Sequence, residues 1–258
     1  MNAETPQAAE LNLPQAFLLL ATNDQDGKPE VPMFALRTTL AGAILAELEL
    51  IGAIGLQGKH VRATGTAPQT DLQHELELIR GKSRPHTPKR WVSMLEGRAE
   101  MQRVYEGMAA RGIVEHVGEK HLGVFRSVRY PEKDHAPEAA LLEKIRAALG
   151  GAPAEAAKPD ARATDAGTPA AATPAAATPE AEALAAETPA AATPAAATPA
   201  ARTKALIALL QAAGLLSKLV PSADKIRASE LAKDYWPSRA VEDELRMIRL
   251  AEEEEPGI

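Results

Sequence analysis

The sequence predicts a mainly α-helical fold, a compact multi-helix bundle domain with a small β-hairpin and a disordered Ala/Pro-rich insertion. Of its 258 residues, 45% are hydrophobic but only 3% are aromatic, so alanine and leucine supply most of the apolar bulk. That composition favours helices, because strands are enriched in aromatic and β-branched residues. Apolar residues also recur at intervals of three and four, which is the spacing of one helix face.

The predicted insertion covers residues 151–200. The motif TPAAA recurs there at Thr168, Thr173, Thr188 and Thr193. Proline at such short intervals stops a helix from extending, and alanine side chains are too small to form a hydrophobic core. The tract is therefore expected to be a disordered spacer. It separates a first block, residues 11–150, from a second block, residues 201–252.

The helices of the first block are predicted from caps and apolar spacing. Asn12 is placed to cap a helix with Pro14 in its first turn, and Asp71 is placed to cap another. Thr87 precedes a proline that can open a further helix. The predicted apolar stripes lie within residues 17–20, 36–51, 72–79, 91–95, 101–108 and 141–149.

Short β elements are expected between these helices. Residues 53–56 and 60–64 surround Gly58 and can pair as one small hairpin. Residues 113–117 and 122–130 can form a second hairpin, with its turn expected at Gly118–Glu119.

The second block is expected to contain three helices, one over roughly 202–219, one after a Ser222 cap and one from Pro237. Their apolar faces have no partner within the block, so they are expected to pack against the first block. The insertion then lies within one fold. This arrangement is tolerable because the entropic cost of closing a loop grows only with the logarithm of its length.

Composition and charge exclude several functional classes. The net charge is −6 and the isoelectric point is near 5.6, which argues against a nucleic-acid partner. The absence of cysteine excludes disulfides, thiolate metal sites and cysteine nucleophiles. The N-terminal MNAETPQAAE lacks the basic residues of a signal peptide, and no apolar run reaches the roughly 20 residues of a membrane-spanning helix. A cytoplasmic protein with peripheral membrane contact is expected.

The sequence predicts neither an enzyme nor a cofactor or metal site. The motifs GxGxxG, GxxxxGK[ST], GxSxG and HExxH do not occur. His116 and His121 flank the predicted hairpin turn, but no third metal ligand accompanies them.

Basic residues are clustered between Glu77 and Glu96, where five occur with no acidic residue, a local charge of +5. A second group follows at Arg126, Arg129 and Lys133. Two interpretations stay open, a solubilising loop or a contact with an anionic membrane worth about 1 kcal/mol per basic residue near the surface. The first cluster consists of Arg80, Lys82, Arg84, Lys89 and Arg90.

Six segments follow one another in an order that carries a family resemblance. They are LNLPQAFLLLATNDQDGK, TLAGAILAELELIGAI, TAPQTDLQHELELI, the helix around Trp91, RGIVEHVGEKHLGVFRSVRYP and ALIALLQAAGLL. In this order the chain resembles the Golgi phosphoprotein 3 family, in its bacterial branch, apart from the long insertion. The resemblance implies a mostly helical fold with a β-hairpin on one face, and peripheral membrane binding through phosphatidylinositol 4-phosphate. In eukaryotes it implies retention of Golgi glycosyltransferases.

The resemblance also implies the position of a headgroup pocket, which eukaryotic members form from a tryptophan and three arginines. The tryptophan position is occupied here by Pro32, and the first arginine position by Ala41. Of the two arginine positions on the helix before Gly112, the first is Met101 and the second is Arg103. Only Arg103 keeps the family residue.

Arg37 and Arg98 are candidates to complete this headgroup site. Arg37 lies one turn before Ala41, and Arg98 lies one turn before Met101, so each can reach towards the same region. The alternative is that both are ordinary surface arginines. Arginines bind phosphomonoesters through charge-assisted hydrogen bonds, each worth roughly 1.5–3 kcal/mol. The predicted headgroup site is therefore Arg103 with Arg37 and Arg98.

The second hairpin is the predicted membrane contact. Leu122, Val124 and Phe125 lie close to its expected turn, and Arg126 and Arg129 follow. Apolar residues followed by basic ones are typical of an element that inserts shallowly into a membrane. The alternative, that Val124 and Phe125 face the core, is equally open.

The sequence thus predicts a non-enzymatic peripheral membrane protein, an adaptor or scaffold that binds phosphatidylinositol 4-phosphate or other anionic lipid headgroups. The alternative is a soluble helical interaction scaffold that has lost lipid binding. Clustering of Arg37, Arg98 and Arg103 around one concavity would favour the first, and scattered arginines the second.

Overall fold

The structure is a computed structural model that describes residues 10–65, 69–121, 125–150 and 198–254. The predicted insertion, residues 151–200, falls outside this range except for its last three residues. Within the described residues the chain forms mostly helices and two short antiparallel hairpins, which confirms the predicted mainly α-helical class.

The helices begin and end close to the positions that local signals predict. Asn12 accepts a hydrogen bond from the Gln15 amide and Thr87 accepts one from the Arg90 amide, as capping residues do. The helices are α1 (Leu13–Leu20), α2 (Met33–Leu50), α3 (Gln73–Arg80), α4 (Pro88–Leu95), α5 (Arg98–Ala110), α6 (Ala136–Leu149), α7 (Pro199–Ala212), α8 (Leu216–Leu219), α9 (Lys225–Ala232) and α10 (Trp236–Glu254). The strands are β1 (Ile54–Gln57), β2 (His60–Ala63), β3 (Val117–His121) and β4 (Phe125–Arg129), paired β1 with β2 and β3 with β4.

The hydrophobic core is centred on α1 and α2. Every residue of α1 and most of α2 are buried, because both helices are apolar on nearly all sides. α10 packs along α2 and α4, and α7 packs against α1, α2 and α9. Helices from both sequence blocks therefore share one hydrophobic core. The domain boundaries at 150 and 201 stay a prediction, because the chain between them is not described.

The crossing of α2 and α10 depends on a glycine. A Cβ atom added at Gly42 would lie 2.2 Å from Cγ2 of Val241 and 3.3 Å from a methyl of Leu209. No ordinary side-chain contact is that short, so only glycine lets the two helices approach this closely.

Several local predictions were wrong. Gly118 pairs with Val128 inside the β3–β4 ladder, which continues to the pair of His121 with Phe125, so no turn lies at Gly118–Glu119. Glycine often marks a turn, but Gly118 occupies a strand position here. The helix expected over 202–219 is divided into α7 and α8 at Gly214, whose φ of +74° ends α7.

Two further errors concern helix caps. α9 is capped by Asp224, which accepts hydrogen bonds from the Ile226 and Arg227 amides, and not by Ser222. α3 begins after Leu72 without a side-chain cap, although Asp71 was expected to supply one. Ser222 and Asp224 are both possible capping residues by type. Which residue begins a helix depends also on how its apolar face packs.

Candidate functional site

Arg37, the first predicted headgroup residue, lies in the second turn of α2 and is half-buried. Its Nε atom is buried and has no hydrogen-bond partner among the described residues. Burial raises the pKa of the nearby Glu96 carboxyl, and the charge of Arg37 opposes that rise. Glu96 accepts a 2.8 Å hydrogen bond from the Thr38 hydroxyl, which holds it beside α2. Arg37 thus lies at the edge of the core with hydrogen-bonding capacity left over.

Arg98, the second predicted residue, begins α5 two residues after Glu96 and is exposed. It faces the end of the β3–β4 hairpin, where its charge opposes the burial that raises the pKa of Tyr130. The Tyr130 ring stacks on Tyr105 with 4.2 Å between ring centroids, so this end of the hairpin is packed onto α5.

Arg103, the third predicted residue, contacts α3 instead. Its Nη2 atom donates to Oε1 of Glu75 at 2.8 Å and to Oε1 of Glu100 at 3.3 Å. Burial acts to lower the pKa of Arg103, but the hydrogen bond and charge of Glu75 outweigh it and raise that pKa overall. Arg98 and Arg103 are five residues apart, which places them about 140° apart around the helix. The structure thus places Arg37 near Glu96 and Arg98 near Tyr130, and it pairs Arg103 with Glu75 and Glu100.

The three family positions that lack the expected residue have different environments. Ala41 is fully buried, Met101 is half-buried, and Pro32 is exposed at the N-cap of α2. No side chain caps α2, so the first amides of this helix have no side-chain acceptor in the described part of the chain. Met33 beside them is 40% exposed. An exposed apolar side chain, unbonded helix amides and Arg37 therefore occur together at the start of α2.

Two lysines near the start of α2 are paired with acidic residues. The Lys28 ammonium lies 2.7 Å from Oδ2 of Asp26, and Lys218 at the end of α8 pairs with the carboxylate of Glu30. These pairs are exposed, and exposed pairs exchange easily with an incoming anion because each contributes only about 0–1 kcal/mol.

The predicted membrane-contact hairpin is described only in part. Leu122 and Val124 lie outside the described residues, and Phe125 and Arg126 form the start of β4. Val128 is 39% exposed, so at least one apolar side chain of β4 faces outwards. Arg129 lies close enough to Asp26 to contribute to lowering the pKa of that carboxyl, although Lys28 is the main cause.

Sequence reasoning missed two groups of charged residues. One is the junction of Glu47 with Arg202 and the Leu13 amide, which no local spacing signals. The other is an acidic cluster formed by Asp24, Glu132, His135 and Glu138. The local signal for this cluster is the spacing of three residues from Glu132 to His135 to Glu138, and no spacing along the chain indicates that Asp24 joins them.

In the described parts of the chain, none of the helices combines the length and the hydrophobicity needed to cross a membrane. The fold defines the class as a mainly helical protein with two short β-hairpins, and α2 begins with an exposed Met33 and carries Arg37 in its second turn.

Residues 13–248 match the family model described as Golgi phosphoprotein 3 (GPP34), and the chain belongs to that family. The resemblance inferred from the sequence segments is thereby confirmed. A comparison with curated proteins found no match.

Proposed function

We propose that this protein is a cytoplasmic peripheral membrane protein that binds phosphatidylinositol 4-phosphate or other anionic lipid headgroups and acts as an adaptor or scaffold without enzymatic activity. The observation that carries the proposal is the first two turns of α2, which combine uncapped helix amides, the exposed Met33 and Arg37 with its buried, unpartnered Nε. Membership of the Golgi phosphoprotein 3 family supports it.

The chemistry of this helix start suits a phosphate. The positive end of a helix dipole and free backbone N–H groups attract anions, and a guanidinium adds charge-assisted hydrogen bonds. Met33 is positioned to enter the headgroup region beside the bound phosphate, as apolar residues of peripheral proteins do. Pro32 takes the family's tryptophan position, so apolar insertion is weaker here and charge contributes a larger share.

Arg98 and Arg103 make different contributions in this proposal. Arg98 is exposed near Glu96 and attracts the membrane electrostatically. Arg103 can bind a headgroup only if the phosphate replaces Glu75 as its partner. The Glu75 carboxylate therefore competes with the lipid. The β3–β4 hairpin supplies a further contact through Leu122, Val124, Phe125, Arg126 and Arg129.

Vesicle co-sedimentation tests the proposal with the full chain. Phosphatidylcholine vesicles carrying phosphatidylinositol 4-phosphate are compared with vesicles carrying phosphatidylserine at equal total charge. Arg37→Ala is expected to weaken binding about tenfold, which corresponds to about 1.4 kcal/mol. Arg146→Ala, which removes an exposed arginine of α6, is the matched control and should bind like the wild type. Circular dichroism confirms that each variant is folded.

Two further variants in the same vesicle experiment test the role of Arg103. Arg103→Ala should weaken binding if Arg103 meets the headgroup, and Glu75→Gln should strengthen it by releasing the guanidinium. Binding should also fall steeply with salt, because exposed charges are screened beyond about 10 Å at 0.1 M ionic strength. Equal binding by wild type and Arg37→Ala on every vesicle would contradict the proposed site.

The alternative is a soluble helical interaction scaffold, and exposed apolar side chains on α9 and α10 favour it. Ile226 is 73% exposed, Met247 50% and Leu250 46%. A protein partner that covers several such side chains together would bury apolar surface that water now contacts. Failure of the wild type to bind any of the vesicles would support this alternative.

A further inference from the structure

The acidic cluster at the start of α6 combines residues from three separate segments. Asp24 comes from the turn between α1 and α2, Glu132 follows β4, His135 is the N-cap of α6, and Glu138 lies in the first turn of that helix. One ligand atom each from Asp24, Glu132 and His135 lies within 4.8 Å of the others. Glu138 faces the carboxylate of Asp24.

A close backbone contact holds these segments together. Gly27 has a φ of +65°, and a Cβ atom there would lie 2.6 Å from the backbone nitrogens of Tyr130 and Pro131. The Glu132 amide donates a 3.0 Å hydrogen bond to the Asp24 carbonyl. The α1–α2 turn is thus fixed against the exit of β4, and the carboxylates of Asp24 and Glu132 are held near each other by the fold.

The Glu132 carboxylate is buried and incompletely bonded. Its side chain is only 2% exposed, and its Oε1 atom has no hydrogen-bond partner among the described residues. Its other oxygen contacts Nδ1 of His135. Oε2 of Glu138 is likewise buried without a partner in the described chain. A buried carboxylate that lacks donors is costly, because its lost hydration is not replaced.

Mutual repulsion adds to this cost. Burial, the Asp24 carboxylate and the Glu132 carboxylate together raise the pKa of Glu138 to about 8. Burial and the Asp24 charge likewise raise the pKa of Glu132. A positive ion at the centre of the cluster would remove both the repulsion and the unsatisfied oxygens.

We propose that Asp24, Glu132, Glu138 and His135 form a binding site for a divalent transition-metal ion. Three carboxylates and one imidazole provide an oxygen-rich set with one nitrogen, which suits Zn²⁺ or Mn²⁺ better than the all-oxygen ligation of Ca²⁺. Ligands of one such ion lie about 2.0–2.2 Å from it and hence about 3–4 Å apart, so small side-chain rotations complete the site. His135, 75% exposed, lies at the entrance.

The bound ion would link the α1–α2 turn, the exit of β4 and the start of α6. Its role is then to fix the base of the β3–β4 hairpin relative to the helical core. This inference stands independently of lipid binding, because none of its four residues belongs to the proposed headgroup site.

Metal analysis of the untagged full chain tests the proposal. Chelator-treated protein is dialysed against Zn²⁺, Mn²⁺ or Ca²⁺, and bound metal is measured by mass spectrometry. We expect one Zn²⁺ or Mn²⁺ per chain and a rise in Tm of about 5–10 °C at a hundredfold excess over Kd. Ca²⁺ should bind at least tenfold more weakly, and binding of Ca²⁺ in preference to both other ions would overturn the assignment.

Variants locate the site. Glu132→Gln and Asp24→Asn should each lower metal affinity at least tenfold, whereas Glu143→Gln, an exposed control further along α6, should not. His135→Ala removes a mostly exposed side chain, so it should fold normally and lose affinity for Zn²⁺ more than for Ca²⁺. A wild type that retains no metal would overturn the proposal. Unchanged affinity in both Glu132→Gln and His135→Ala would overturn it equally.

Discussion

Glu47 shows how a single buried charge organises the core. Its side chain is 3% exposed, and Oε1 accepts a 2.6 Å hydrogen bond from Nη2 of Arg202. Oε2 accepts a hydrogen bond from the Leu13 amide at 3.0 Å and one from Nε of Arg202 at 3.3 Å. The carboxylate thus satisfies a free amide at the start of α1 and joins α1, α2 and α7. Such a position stabilises the fold only while all its partners are present.

We expect Arg202→Met to lower the free energy of unfolding by about 2–4 kcal/mol, because it leaves the Glu47 carboxylate buried without its counter-charge. This loss of stability is smaller than the loss expected on breaking a fully buried ion pair, because 21% of the Arg202 side chain is exposed. Urea denaturation followed by circular dichroism measures the change. Arg239→Ala is the control, since its pair with Asp234 is exposed on both sides and should contribute less than about 1 kcal/mol.

At the scale of elements, α2 and α10 are joined by packing and by a polar contact. Val241 of α10 occupies the space above Gly42. The indole N–H of Trp236 donates to the Glu49 carboxylate. Burial raises the pKa of that carboxyl, and the hydrogen bond only partly opposes the rise. Glycine in a helix normally costs stability, so its presence in α2 is explained by the close approach of α10.

Gly42→Ala is expected to lower the free energy of unfolding by about 1–3 kcal/mol, because the new methyl group overpacks the α2–α10 contact. Gly107→Ala in α5 is the matched control: the nearest atom to its Cβ is Nε2 of Gln15 at 3.8 Å, so helix propensity should stabilise it by up to about 1 kcal/mol.

A double-mutant cycle identifies the cause. In a Val241→Ala background, Gly42→Ala should cost much less than in the wild type, because the clashing methyl groups are gone. An equal cost in both backgrounds, measured by urea denaturation, would show that the Gly42–Val241 contact is not responsible.

At the scale of the whole molecule, the core is continuous across a long gap in sequence. α7 and α10, from the end of the chain, pack against α1 and α2 from its beginning. The hydroxyl of Thr198 accepts a 3.1 Å hydrogen bond from the Ala201 amide and so caps α7. Residues 199 and 200, assigned to the insertion by sequence, belong instead to the first turn of this helix.

Deletion of residues 152–193 is expected to change Tm by less than about 2 °C, because its Ala/Pro-rich sequence offers almost no large apolar side chains for burial. Deletion of residues 152–200 should lower Tm by about 2–4 °C more, since loss of the Thr198 cap costs about 1 kcal/mol. Scanning calorimetry of both deletions makes the comparison. Equal Tm values for the two deletions would show that the Thr198 cap contributes nothing. A large fall in Tm for the shorter deletion would show that residues 152–193 pack on the core.

For the candidate sites, sequence reasoning located residues but not their partners. The family position identifies Arg103 as a candidate headgroup residue. Its partner Glu75 lies 28 residues earlier and on another helix. Glu47 and Arg202 are 155 residues apart. Contacts of this kind depend on which helix faces lie together, and no spacing along the chain records that.

The sequence by itself determined the helical class, the caps at Asn12 and Thr87 and the Golgi phosphoprotein 3 family, because these depend on residues within a few positions or on their linear order. Only the tertiary structure decided the register of β3 with β4, the close contact at Gly42 and the meeting of Asp24 with Glu132. The physical reason is that burial and charge pairing act between surfaces brought together by packing, whereas capping and periodicity act within a few turns of backbone.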